Sequence, residues 1–325
     1  MNRRDACRAL GAVPLALATR VRAQPTRTLH IAWVSTEPAN MPSPFLDALR
    51  SGLRELGHVE GRNLVVDIWS GEGSMEALVQ KASDIVRSNP HIIVSQGAAF
   101  GAMRRAGVKV PIVFTMSANP VVAGYVESFA RPGGNATGIT LFDLEPFGKR
   151  IDLLKELRPG IKRVAIIANP GHPGEALERR VAEAVSAQSG MQTRYFPVRT
   201  DEELERAFVD IASANDHAIA ALADAYTMNA AGRIAAFCQR QRIPSVSGWA
   251  LFAERGNVMT YGPVIVDCYR RLASYVDRIH RGAKPGDLPI EFPTKLELVI
   301  NQKAARNIGL TVPQSLLLRA DEVIR

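Results

Sequence analysis

Leu29-His30-Ile31-Ala32-Trp33-Val34-Ser35, then Phe45, Leu49, Leu53 and Leu56, then Leu64-Val65-Val66-Asp67-Ile68-Trp69: this succession over residues 29–69 decides the fold. The outer runs are short, apolar and rich in β-branched residues, as buried strands are. The middle stretch puts its apolar residues on one face at helical spacing. A helix between two strands returns the chain parallel to its start, so the unit reads as βαβ. The pattern continues outward. Ser74 caps a helix that turns Met75, Leu78, Val79, Ala82 and Val86 inward, and strands are expected at Ile92 to Ser95, Ile112 to Met116 and Thr137 to Thr140.

The same grammar then restarts. Arg163 to Ala168, Thr193 to Val198, Ala218 to Ala223, Pro244 to Ser247 and Val258 to Tyr261 read as a second set of strands. Helices begin near Pro173, Thr200 and Asn229, and Thr200 with Glu203 forms a capping-box pattern. Two sets imply two α/β lobes with parallel sheets. Ile265, Cys268, Tyr269, Leu272, Val276 and Ile279 mark one more long helix, followed by a Pro/Gly linker over Gly282 to Pro289 and a helical or mixed segment over Lys295 to Ile308. This tail fits a chain that crosses back to the first lobe and returns to the second. Lobe 1 is then 27–142 with about 264–290, and lobe 2 is 143–263 with about 291–325. Hinges are expected at Leu141 to Asp143, Tyr261 to Val264 and Pro289 to Pro293.

The first 23 residues differ in kind. Arg3, Arg4 and Arg8 precede the apolar stretch Ala9 to Ala18, and Val21-Arg22-Ala23 is a small-x-small cleavage site, so residues 1–23 read as an export signal and the remaining chain as periplasmic. Arg3-Arg4 also resembles a twin-arginine signal, loosely, given Asp5, Ala6 and Cys7. The segment carries a net +4, so its removal lowers the formal charge from +8 to +4. No Lys/Arg cluster is interleaved with aromatics, which leaves nucleic-acid binding without support. Cys238 and Cys268 fall on the apolar stripes of expected helices and read as buried thiols; a disulfide between them is left open.

Catalytic, metal and cofactor signatures are absent: no G-x-S-x-G, H-E-x-x-H, P-loop or C-x-x-C, and histidines 30, 58, 91, 172, 217 and 280 are scattered along the chain. Gly71-Glu72-Gly73 mimics a dinucleotide fingerprint, but Glu76 stands where the third glycine belongs. In open α/β sheets ligands bind beyond the carboxyl ends of the strands. The loops there place Thr36, Gln96, Gly97, Ala98, Thr115, Ser117, Asn119, Asn169, Asp224, Tyr226, Trp249 and Tyr261 at a candidate ligand site. Aromatics are only 6% of the chain, yet Phe100, Tyr226, Trp249 and Tyr261 all lie at strand ends, as walls for a flat ligand or as core plugs. Trp33 and Trp69 lie within strands and read as core. The turn Pro132-Gly133-Gly134-Asn135 and the adjacent Arg131 read as structural.

A family resemblance rests on Val110-Pro111-Ile112-Val113-Phe114, Asn119-Pro120-Val121, Gly124-Tyr125-Val126 and Ala130-Arg131-Pro132-Gly133-Gly134-Asn135-Ala136-Thr137-Gly138. It continues in Tyr261-Gly262-Pro263, Gly282-Ala283-Lys284-Pro285, Leu288-Pro289, Pro293-Thr294-Lys295, Leu298-Val299-Ile300-Asn301 and Pro313-Gln314-Ser315-Leu316-Leu317. These motifs resemble those of the TrpX-like ABC-transporter substrate-binding family. The resemblance implies a type I periplasmic-binding-protein fold, no catalytic site, no cofactor, and a monomer that captures a small aromatic or carboxylate solute and delivers it to an inner-membrane ABC permease. Two positions depart from the pattern: Asn119 and Val264 stand where the family usually has Asp. That loss favours an aromatic or otherwise flat carboxylate, or a weakly basic solute, over a zwitterionic amino acid, with Asp224 as the remaining acid for an ammonium. The rival expectations are a sensor subunit for a receptor kinase, and an enzyme using the same cleft.

Overall fold

The computed structural model describes residues 28–142 and 145–325. The export signal, Cys7 and Asp143 of the first expected hinge lie outside the described residues.

The first sheet is built from β1 (Leu29–Ser35), β2 (Leu64–Ser70), β3 (Ile92–Gln96), β4 (Ile112–Met116) and β5 (Ala136–Thr140). It is all parallel, in the order β2-β1-β3-β4-β5. Helices α1 (Pro44–Glu55), α2 (Met75–Arg87) and α3 (Ala99–Arg105) make its crossovers. Local chemistry sets where the first two begin: Ser43 Oγ accepts from the Leu46 N–H with Pro44 in the first turn, and Ser74 Oγ accepts from the Ala77 N–H.

The second unit runs α4 (Glu145–Leu157), β6 (Arg163–Ala168), α5 (Glu175–Gln188), β7 (Gln192–Pro197), α6 (Asp201–Ser213), β8 (Ala218–Ala221), α7 (Ala225–Asn229), α8 (Ala231–Gln241), β9 (Ser245–Ser247), α9 (Ala250–Glu254) and β10 (Met259–Pro263). The chain then leaves through α10 (Ile265–His280) and comes back as β11 (Leu296–Asn301), α11 (Gln302–Asn307), α12 (Gln314–Leu317) and β12 (Glu322–Ile324). The second sheet is ordered β12-β11-β10-β9-β8-β6-β7, parallel except for the antiparallel β10–β11 pair. Two α/β lobes with mostly parallel sheets are the architecture that the alternating pattern predicts.

The tail links the lobes. Helix α10 lies on α1 against the first sheet, with Tyr269, Leu272 and Val276 in one buried cluster with Leu46, Leu49 and Leu53. Gly52 permits this approach, since a Cβ there would stand 2.4 Å from the Arg270 carbonyl oxygen and 2.8 Å from the Ala273 Cβ. Residues 288–291 then run beside β5: Glu291 N–H donates to the Gly138 carbonyl at 3.1 Å, and Thr140 N–H donates to the Glu291 carbonyl at 3.0 Å. The chain therefore passes between the sheets after β5, after β10 and before β11. The segment read as helical or mixed over Lys295 to Ile308 is a strand joined directly to a helix, because Asn301 ends β11 and its Oδ1 caps α11 by accepting from the Ala304 N–H.

Four of the six histidines are close in space, meeting at the amino ends of the first sheet. Ring centroids are 5.6 Å apart for His58 and His280, 6.1 Å for His91 and His280, and 6.5 Å for His30 and His91. His30 and His58 pair with Asp67 and Asp277, each at 2.8 Å. Among the described residues no group of His, Cys, Asp and Glu is arranged to hold a metal ion, and no helix is long and apolar enough to cross a membrane. Cys238, in α8, and Cys268, in α10, are free thiols buried in different lobes, and burial pushes each up to about 12.

Candidate functional site

The carboxyl ends of β4 in one lobe and of β6, β8, β9 and β10 in the other face a shared cleft. A narrow cavity there, with about 30 Å³ of room, is lined by Ser117, Leu141, Phe147, Arg150, Glu178, Leu222, Ala223, Trp249 and Pro263. Apolar and charged groups share this wall. Sequence patterning by strand ends alone does not reach Phe147, Arg150 or Glu178, because they come from α4 and α5. A signal for them exists on those helices. Arg150 interrupts the stripe Phe147, Ile151, Leu154, and Glu178 lies on the face of Ala182 and Ser186, so each places a charge where the helix turns inward.

A hydrogen bond crosses the cleft. Ser117 Oγ and His172 Nε2 are 2.8 Å apart, joining the loop after β4 to the loop between β6 and α5. Gly174 N–H donates to His172 Nδ1 at 3.3 Å, so Nε2 carries the ring proton and donates to the serine. Burial holds the imidazole below its ordinary pKa, against the pull of Asp224 and Glu175. Glu178, with Oε1 4.0 Å from His172 Nδ1, is pushed up to about 8 by burial; Asp224 and Glu175 reinforce the shift and Arg150 opposes it. Near neutral pH its carboxyl is mainly in the acid form.

Backbone and side chain together fix Arg150. Its Nε donates to the Tyr261 carbonyl at 2.7 Å. Gly248 leaves room for the guanidinium, since a Cβ at that position would sit 2.6 Å from Nη2.

Of the twelve residues expected at strand ends, Ser117 and Trp249 line this cavity. Asp224 and Asn169 stand immediately behind it. Asp224 is the N-cap of α7: Oδ1 accepts from the Thr227 N–H at 2.7 Å and the Thr227 hydroxyl at 2.9 Å, and Oδ2 accepts from Asn169 Nδ2 at 2.6 Å. Tyr261 contributes its carbonyl, while its ring packs on the lobe 2 core. On the lobe 1 side, Gln96 Nε2 donates to Glu37 Oε1 at 2.8 Å, and buried Ser95 Oγ and Gln96 Oε1 have no partner among the described residues. Thr115 is buried in β4, Gly97 N–H donates to the Thr115 carbonyl at 2.7 Å, Ala98 is the exposed N-cap of α3, and the Thr36 carbonyl accepts from the Gly73 N–H.

Three of the residues at strand ends and loops make contacts within their own lobe. Tyr226 turns away, its hydroxyl donating to Asp201 Oδ1 at 3.3 Å and its ring packing with the cluster under α6 and α8. Asn119 is committed to a turn, Oδ1 accepting from the N–H groups of Val121 and Val122 at 3.0 and 3.1 Å. An Asp would accept those bonds equally well, so the Asn at this position carries no information about the ligand. Phe100 is a core plug, stacked on Phe114 at 4.2 Å with Tyr125 edge-on at 5.2 Å.

The profile of a family described as ABC transporter substrate binding protein matches residues 43–324. A tyrosine-binding protein of Clostridioides difficile is 21% identical over 276 residues, 82% of this chain and 78% of the relative. Among solved structures, a conserved domain protein of Vibrio cholerae is 27% identical with a TM-score of 0.83, over 91% of this chain and 100% of its own. A Streptococcus pneumoniae ABC domain in complex with L-Trp gives a TM-score of 0.84 at 20% identity, over the same shares of the two chains.

Proposed function

Because the chain belongs to the ABC transporter substrate binding protein family, whose members bind small solutes outside the cytoplasm and work with ABC permeases, we propose that it captures an aromatic or carboxylate solute in the interlobe cleft. The observation that carries this reading is the cavity itself: apolar walls from Phe147, Leu222 and Trp249 around a few polar groups, at the carboxyl ends of two sets of parallel strands. Relatives named for tyrosine and L-Trp support an aromatic ligand. Ser117 and Trp249 contact the solute; Asn169 and Asp224 hold the loop behind it; Gln96 and Thr115 supply the lobe 1 side. The protein acts as a monomer, in the periplasm, exported by the signal at residues 1–23 through the twin-arginine route.

Capture, and not catalysis, is the chemistry these groups suit. Ser117, His172 and Glu178 superficially resemble a nucleophile, base and acid series. A general base must accept the serine proton at Nε2, yet Nε2 is the protonated nitrogen here because Nδ1 accepts from Gly174. Glu178 cannot orient the ring as a carboxylate, being 4.0 Å away and mainly protonated. Serine and histidine also sit on different lobes, so cleft opening separates them.

Native mass spectrometry of protein purified from the periplasm without refolding tests this proposal. The expected result is a chain starting near Gln24 that carries a small aromatic or carboxylate adduct. A full-length chain confined to the cytoplasm, or one that takes no adduct from cell extract, refutes it.

A further inference from the structure

Solute capture by Ser117 and Trp249 gives His172 no part, yet His172 makes the hydrogen bond that closes the cleft, Nε2 to Ser117 Oγ at 2.8 Å. Both ends of that bond are pinned. On the lobe 1 side the Met116 carbonyl takes the Leu141 N–H at 2.7 Å and the Ala118 carbonyl takes the Thr140 hydroxyl at 3.0 Å, so Ser117 stands between two fixed peptides. On the lobe 2 side the His172 N–H donates to the Asn169 carbonyl at 3.0 Å, and the Gly174 N–H holds Nδ1. Gly174 also gives the ring its place: a Cβ there would stand 3.4 Å from His172 Cε1 and 3.2 Å from the Phe142 ring.

The room beside this bond decides what it does. The cavity holds about 30 Å³, the share of one water, whereas a single benzene ring takes a cavity of about 150 Å³. An aromatic solute cannot enter while the lobes stand this close. An opening of about 1 Å already carries the Ser117–His172 contact beyond hydrogen-bonding distance.

Resting on the reading of this cleft as the capture site, we propose that His172 is a latch: its bond to Ser117 draws the lobes closer than a solute allows, so the latched and solute-bound forms exclude one another. His172 is thus a positioning residue that sets affinity and entry rate without touching the solute. Once released, Ser117 is free to meet the solute. Only the unlatched fraction is competent, and the apparent affinity is scaled by that fraction. One neutral hydrogen bond, exchanged for water as the cleft opens, shifts such an equilibrium by roughly 3- to 10-fold. The latch therefore tempers binding and leaves open molecules in the population.

Small-angle scattering, stopped-flow mixing and calorimetry of wild type, His172→Phe and His172→Gln test the latch, with L-tyrosine as the probe and with protein first stripped of retained solute by dialysis from urea. Phe keeps a ring and loses the donor; Gln keeps an N–H donor. The solute-free radius of gyration should rise in His172→Phe and return to the wild-type value in His172→Gln. L-Tyrosine should bind His172→Phe about 3- to 10-fold more tightly, mainly through faster association, and the saturated profiles should coincide. Circular dichroism checks each fold. Should His172→Phe not fold, Ser117→Ala supplies the scattering test, since it also removes the bond. An unchanged solute-free radius overturns the latch. Weaker binding of L-tyrosine by His172→Phe than by wild type makes His172 a solute contact and overturns the latch, leaving capture standing. If L-tyrosine binds none of the proteins, scattering still decides the latch, and only the failure to retain any solute from cells overturns capture.

Discussion

Replacing Asp224 separates its role as a helix cap from a direct role in binding an ammonium. In Asp224→Ala the first turn of α7 loses its cap, about 1 kcal/mol. That cap bond is the Thr227 N–H at 2.7 Å, and Asn169 Nδ2 also loses its acceptor at 2.6 Å, whereas the Thr227 hydroxyl keeps the Leu222 carbonyl at 2.6 Å. The stranded amide costs about 1 kcal/mol more, giving a total near 2 kcal/mol. Asp224→Asn is different. Asn is as good an N-cap as Asp, so the Thr227 bonds survive. Only the Asn169 contact suffers, because Asn169 Oδ1 already accepts from the Gly171 N–H at 2.9 Å and the amide cannot flip without losing that bond. The expected loss is about 1 kcal/mol. Urea unfolding of the two variants beside the wild type measures the difference. Equal losses in Ala and Asn variants would refute the cap and make the carboxylate charge the stabilising feature. A wild-type-like stability for Asn with abolished binding of L-tyrosine, but not of its deaminated analogue, would return Asp224 to the role of ammonium partner.

Phe100→Ala should destabilise lobe 1 by about 3–5 kcal/mol in urea unfolding, as removal of a buried ring does, while the folded fraction keeps its solute affinity; a binding loss at intact stability would place Phe100 in the cleft after all. Gly248→Ala should press a methyl onto Arg150 Nη2, 2.6 Å from the new Cβ, and weaken solute binding about tenfold by disturbing the cleft wall, with little change in stability because the displaced group is the end of a flexible side chain; unchanged calorimetry would contradict that crowding. Cys238 and Cys268, raised to about 12 by burial, should resist a thiol reagent at pH 8 until urea unfolds the chain. Rapid labelling of the native protein would show that they are accessible.

Much of the fold was legible because its signals are local. β1, β4 and β6 coincide with their apolar runs residue for residue, and Ser74 and Thr200 cap the helices they introduce. Legibility failed where one residue serves two elements or where a partner is distant. Asn301 closes a strand and opens a helix, which blurs both periods. The capping box at Thr200 is half made, since Glu203 accepts from the Arg199 N–H and not from the cap residue. Helix α2 buries Ile85 and leaves Val86 41% exposed, a shift of one residue in the stripe. The cleft was legible at Ser117 and Trp249, which fall within two residues of a strand end. It was not legible at Arg150, Glu178 and His172. A charged residue on an inward helical stripe is visible in sequence, but its meaning depends on which lobe it meets, and that is set by the long-range return of the chain through α10 and β11.

Small-angle scattering with and without the solute identified by native mass spectrometry tests most directly whether two lobes close on a captured molecule. Three crossings join the lobes, and Ser117 and His172 bridge them across the cleft at 2.8 Å. Bound solute adds contacts to both walls and so favours the closed arrangement over the open one. Saturation should reduce the radius of gyration and remove the long-distance shoulder of the pair-distance distribution. Identical profiles in the presence of calorimetrically proven binding would contradict the account.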